Sequence, residues 1–187
     1  MPKCVNFTDI NEIASCSEGD NVAGTAAVVE IGLAEEVATW PDFPSSAGEG
    51  MSFEQAGTID GNLSLNNGAR RCKLTFTRNT GEFTMTEQGE PGSENVLYSL
   101  TLERSKMSAE IFGFLNATRG RSLWIKVTDK NGQSYLMGDK TNHAYRVAGD
   151  AATTGKASAD ANKVPIKFEY VCPRNLVFAG NIEELSV

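Results

Sequence analysis

Apolar and polar residues alternate along most of this chain, and the alternation has a period of two. In VLYSLTLER, Val96, Tyr98, Leu100 and Leu102 share one face. In KVPIKFEYVC, Val164, Ile166, Phe168, Tyr170 and Cys172 do the same. Successive side chains of a strand point to opposite faces, so both segments predict strands with one buried side. GTAAVVEIGLAEEV (24–37) places Ala27, Val29, Ile31 and Leu33 at the same period and predicts a strand, with Glu35 and Glu36 keeping a helix open. TIDGNLSL, RRCKLTFT, EFTMT, SLWIKVTD, QSYLMGD, HAYRV and NLVFAG add further short strands. Between them stand Asn66-Asn67-Gly68, Asn79-Thr80-Gly81 and Asp129-Lys130-Asn131-Gly132, residue types that suit tight turns between strands.

One segment breaks the rule. In SKMSAEIFGFLNATRG, Met107, Ile111, Phe112 and Leu115 recur at helical spacing. A helix over about 106–117 follows, with Ser105 as its N-cap and Gly120 past its end. The resulting fold class is mainly β: a sandwich or barrel of short antiparallel strands, with one packed helix. Residues 58–187 form this β-rich part, and residues 1–57 an acidic segment and extended arm, within one structural domain.

ATWPDFPSSAGEGMSFEQAG (38–57) has two prolines and three glycines, the composition of a long loop. It also carries Trp40, Phe43 and Phe53, large apolar groups that need cover. Trp124 belongs with them. With Leu123, Ile125 and Val127 toward the core, alternation turns Trp124 outward beside Lys126. Trp40, Phe43, Phe53 and Trp124 are therefore the expected subunit-interface residues. Cover of Trp124 by the chain's own arm is the other reading.

Charge sharpens this expectation. The net charge is −7, but the first sixty residues hold eleven acids and one base, Lys3. The remaining residues hold thirteen acids and sixteen bases. Such asymmetry marks an interaction surface, and the acids of the arm are expected to meet Arg and Lys of the other part on a neighbouring copy. An acidic total argues against specific nucleic-acid binding, which needs clustered bases on phosphate. No run is long enough to span a membrane. The start, MPKCVNFTDINEIAS, has no apolar stretch of signal-peptide type, and the expected location is a cytoplasm or a particle assembled there.

The residues offer no catalytic kit. His143 is the only histidine; Asp139 lies four residues before it, but no strained nucleophile turn accompanies them. The acid pairs Glu35/Glu36 and Glu183/Glu184 point to opposite faces of a strand. Asp129-x-Asn131-Gly132 begins like a calcium loop but lacks the later acidic ligand. Cys4, Cys16, Cys72 and Cys172 contain no C-x-x-C pair. Cys72 and Cys172 are expected as buried thiols. No catalytic residue, metal ligand or cofactor is assigned.

The order of elements in the second half adds a resemblance. The helix KMSAEIFGFLNA leads into SLWIKV, the turn DKNG and then YLMGD; the small-residue stretch TTGKASADANK precedes the strand VPIKFEY. Over residues 105–170 this phrase resembles the major tail (tail tube) proteins of bacteriophages. The resemblance implies a β-sandwich or barrel without enzymatic activity. It also implies assembly into homo-oligomeric, hexameric rings that stack into a tube with other virion proteins. The expected location is then the virion, and the host cytoplasm during assembly. The alternatives are another phage structural component (baseplate, head-completion or decoration protein) or a carbohydrate-binding sandwich module with Trp40, Trp124 and Tyr135 in a shallow groove.

Overall fold

The longest alternating segments become the longest strands. A computed structural model describes residues 23–26, 28–44, 51–157 and 160–185. In chain order its elements are β1 (Val28–Leu33), β2 (Val37–Thr39), α1 (Phe53–Ala56), β3 (Thr58–Ile59), β4 (Leu63–Leu65), β5 (Arg71–Thr75), β6 (Glu82–Gln88) and β7 (Asn95–Ser105). They continue with α2 (Ala109–Ala117), β8 (Leu123–Thr128), β9 (Ser134–Met137), β10 (Tyr145–Val147), β11 (Lys163–Cys172), β12 (Val177–Phe178) and β13 (Ile182–Glu184). A single 3-10 turn, Ala34–Glu36, follows β1.

The fold is mainly β, with several antiparallel sheets in a sandwich-like arrangement and one substantial packed helix. One four-stranded sheet runs β5-β1-β8-β9 and the other β10-β11-β7-β6, both antiparallel throughout. Their inner faces share one core: Val29, Ile31, Ile125 and Val127 from the first, and Tyr98, Leu100, Leu102, Ile166, Phe168 and Tyr170 from the second. Short strands form two smaller sheets, β12-β3 and β13-β4-β2. They contribute Ile59, Leu63, Leu65 and Phe178 to the same core.

Trp124 departs from the expectation. It is fully buried, as are its neighbours Leu123 and Ile125. The reason is the position of β8: it is an interior strand, and apolar groups cover both of its faces. Trp124 pairs with Gly32 in the adjacent strand. A Cβ on Gly32 would lie 2.6 Å from three atoms of the indole, so only glycine leaves room for that ring. On the same back face, Lys126 Nζ sits 5.7 Å over the Phe178 ring. Trp124 is thus core and not a surface available to a neighbour.

The strand expected within 24–37 forms, and the loop expected over 38–57 is in part regular. β1 lies second in its sheet, hydrogen-bonded on both sides. β2 and α1 are regular elements within or beside the expected loop, and Trp40 and Phe43 pack against the core. Ser52 and Gln55 close a capping box around α1, which begins at the half-buried Phe53. Residues 1–22, with Cys4 and Cys16, and residues 45–50 of the loop lie outside the described residues.

The principal helix starts later than its pattern predicts. Lys106 has φ +69°, in the left-handed region, so the helix cannot include it. Asn162 holds this corner: its carbonyl accepts from Lys106 N (2.9 Å) and its Oδ1 from Met107 N (3.0 Å). Ser108, not Ser105, is the N-cap, accepting from Ile111 N. Ile111 is the buried residue of the stripe; Met107, Phe114 and Leu115 pack partly against the core, and Phe112 is 41% exposed. Cys172 is buried as expected, but Cys72 is exposed because β5 is an edge strand.

Replacing a fully buried tryptophan removes both transfer energy and packing. Trp124→Ala is expected to lower the unfolding free energy by about 3–5 kcal/mol, measured by urea denaturation. A loss within about 0.5 kcal/mol, typical of surface positions, would contradict the burial.

Candidate functional site at the sheet edges

Every strand must find partners for its N–H and C=O groups, and an edge strand has them on one side only. β6 is the longest such edge among the described residues. It pairs with β7 over seven register positions, Glu82↔Thr101 to Gln88↔Asn95. No strand among the described residues pairs with its outer side. Its exposed residues Glu82, Thr84, Thr86, Glu87 and Gln88 include no lysine and no proline, the residues that commonly blunt such an edge. Phe83 and Met85 turn inward.

The two sides of the sandwich differ. Phe83 of β6 stacks on Tyr135 of β9 with ring centroids 4.8 Å apart, so these two edges lie on one side. The sheet order β5-β1-β8-β9 then puts β5 at the far side. There α2 flanks it. Arg104 Nη1 donates to the Thr75 carbonyl (2.9 Å), and hollows of about 230 and 280 Å³ lie along the seam. The larger hollow is lined by Ile31, Leu33, Cys72, Phe114 and Leu123, with Arg71 at its rim.

Charge follows the same division. β5 carries Arg71 and Lys73 and no acid; β6 carries Glu82 and Glu87 and no base. Around β5 several bases already have partners within the chain. Glu36 accepts from Arg70 Nε (2.7 Å) and Arg70 N (2.6 Å), Glu35 pairs with Arg121 (3.3 Å), and Glu30 lies 3.9 Å from Lys73. Burial would raise the Glu36 carboxyl, but the Arg70 side-chain and backbone hydrogen bonds outweigh it and hold it below the usual carboxylate range. Glu30, Glu35 and Glu36, which precede the loop at 38–57, thus meet bases of the later part within one copy.

A cleft of about 710 Å³ opens beside β6, lined by Thr25, Asn79, Glu82, Phe83, Asp129 and Tyr135 among others. Thr25 Oγ1 is buried there without a hydrogen-bond partner among the described residues. The Asp129-Lys130-Asn131-Gly132 stretch forms the β8–β9 hairpin turn. Asp129 Oδ1 accepts from Asn131 N and Gln133 N, both at 2.8 Å, and Gly132 takes φ +86°.

Sequence reasoning missed a buried polar lock. Tyr170 Oη donates to Asp139 Oδ2 (2.5 Å), whose other oxygen accepts from Thr141 N (2.6 Å) and Asn142 N (2.8 Å). Tyr98 meets Tyr170 edge to face at 5.5 Å; its hydroxyl donates to the Arg174 carbonyl and accepts from Leu176 N, both at 2.9 Å. Burial pushes both phenols far above the ordinary tyrosine range, with the Cys172 thiol adding to it. Asp139 is therefore a structural acceptor. His143 instead lies against Trp40, with ring centroids 5.6 Å apart.

The interface residues expected from sequence do not come together. Trp124 is core, Trp40 and Phe43 cover the core partly, and Phe53 opens α1. Trp40, Trp124 and Tyr135 do not share a groove: only Tyr135 lines the cleft. Among the described residues no three His, Cys, Asp or Glu side chains gather as a metal site, and no helix is long and apolar enough to cross a membrane. Comparison with family models, curated proteins and solved structures found no match for this chain.

The tyrosine lock has a pH consequence. In the fold the raised phenols stay neutral, whereas unfolded tyrosine ionises near pH ~10. The stability they contribute is full below that pH and is lost as pH rises through the folded values. Above it, Tyr170→Phe should lessen the fall in unfolding free energy by roughly 1.4 kcal/mol per pH unit, one proton's worth. Urea denaturation from pH 9 upward measures this; equal slopes for both proteins would contradict it.

Proposed function

We propose that this protein is a structural subunit that assembles with copies of itself, and that its assembly is a ring of the phage tail tube kind. The observation that carries the reading is β6: a seven-residue edge, unpaired on its outer side among the described residues and without lysine or proline. In a monomer such an edge is a hazard; in an assembly it is the joint. The helix-strand-turn-strand phrase over residues 105–170, which resembles tail tube proteins, supports the narrower assignment. An acidic sequence, pI about 4.8, suits a lumen through which phosphate must pass without sticking. Asp139 is held by Tyr170 and two amides, and His143 lies against Trp40.

A second reading, a small-ligand binding module, has one observation in its favour. The cleft beside β6 combines the stacked Phe83/Tyr135 pair with Glu82, Asp129 and Asn79, a composition that suits a neutral sugar.

Light scattering and negative-stain microscopy of the purified chain separate these readings. Rings or stacked tubes are the expected result, with discrete small oligomers pointing to a different virion part. A monomer at every concentration would overturn the assembly reading and turn attention to the cleft.

A further inference from the structure

We infer that the joint between copies is one specific strand pairing: the acidic edge β6 of one copy docks on the basic edge β5, beside α2, of the next. This rests on the self-assembly reading and adds to it which surface meets which.

Three observations converge. The first is placement. The Phe83–Tyr135 stack puts β6 with β9 on one side of the sandwich, and β5 is the opposite edge of β9's sheet. A copy can therefore offer β6 forward and β5 backward at once, with no surface used twice. The second is backbone. β6 presents seven residues and β5 five, and neither has a second strand neighbour among the described residues. Strand addition satisfies both rows of N–H and C=O groups together. The third is charge. Arg71 and Lys73, on one face of β5, are exposed, as are Glu82 and Glu87, which alternation places on opposite faces of β6. Arg71 has no ion pair among the described residues, and Lys73 has only a 3.9 Å approach to Glu30 with its side chain 73% exposed. Glu82 has no ion pair there either, and Glu87 accepts only from Asn175 Nδ2. A basic edge repels a second basic edge and an acidic edge a second acidic one, so β5–β5 and β6–β6 pairings are disfavoured. What remains is the head-to-tail contact, which closes into a ring when the rotation per copy divides a full turn.

The apolar hollow along the β5–α2 seam fits the same role. Cys72, Phe114, Ile31 and Leu123 line a space that an arriving strand would cover. The single-chain structure leaves Cys72 exposed there, although it pairs with the buried Ile31.

Charge reversal tests this directly. One variant reverses the acidic edge, Glu82→Lys with Glu87→Lys; a second reverses the basic edge, Arg71→Glu with Lys73→Glu. All four positions are exposed, so both variants should keep the wild-type circular dichroism spectrum. Each variant alone then carries two like-charged edges and should sediment as a single chain where the wild type assembles. Mixed in equal amounts they should assemble again, because each edge now finds its opposite on the other variant. The two should then alternate, giving a one-to-one composition by mass spectrometry. Wild-type assembly that persists in either variant alone, or a mixture that stays dispersed, overturns the inference while leaving self-assembly standing. A wild type that never assembles defeats the underlying reading instead.

Discussion

Everything in this sandwich depends on β1 lying between β5 and β8. Its backbone is satisfied on both sides, through pairs from Val28↔Thr75 to Gly32↔Arg71 on one and from Glu30↔Lys126 to Leu33↔Leu123 on the other. Without β1, β5 would have no strand partner and β8 would lose one of its two. The pairing also fixes the fit at Gly32, where the absent side chain admits the Trp124 indole. It brings Glu30, Glu35 and Glu36 to the bases Lys73, Arg121 and Arg70. Of this acidic first part, Val28–Leu33 is an interior strand of the first sheet, with Val29 and Ile31 in the core.

The same placement determines the edges. With β1 and β8 inside, the first sheet ends at β5 and β9; with β11 and β7 inside, the second ends at β10 and β6. β10 and β9 are short, and β5 is flanked by the helix. Among the described residues β6 is the longest of these edges and β5 the next. Edges of this kind are where sheets of separate chains can join.

Much of this was legible in the chain, and the failures have physical causes. β7 and β11 read cleanly because one face of each is buried and the other wet. β8 did not, because it is buried on both faces: Leu123-Trp124-Ile125 is a run rather than an alternation, and that run was itself the missed signal. Cys72 alternates as a core residue does, but it lies on an edge strand whose inner face is incompletely covered. The helix start was hidden by a contact from Asn162, far along the chain. The turn at Asn66-Asn67-Gly68 was read correctly as a break between strands, yet those strands belong to different sheets. The Tyr98–Tyr170–Asp139 lock is tertiary and has no local pattern. The candidate joint was present in composition, as acids on EFTMTEQ and bases on RRCKLT, but only sheet order shows that the two are edges on opposite sides.

The central claim is that the outer backbone of β6 is free in one copy and paired in the assembly. Amide hydrogen exchange across residues 82–88 measures that most directly, comparing dilute single chains with the assembled state. The account predicts that amides of β6 pointing away from β7 exchange fast when dilute and become protected on assembly, together with outer amides of β5 over residues 71–75. The β7 and β11 amides, paired in both states, should change little. Assembly that leaves the β6 amides as exposed as before would contradict it.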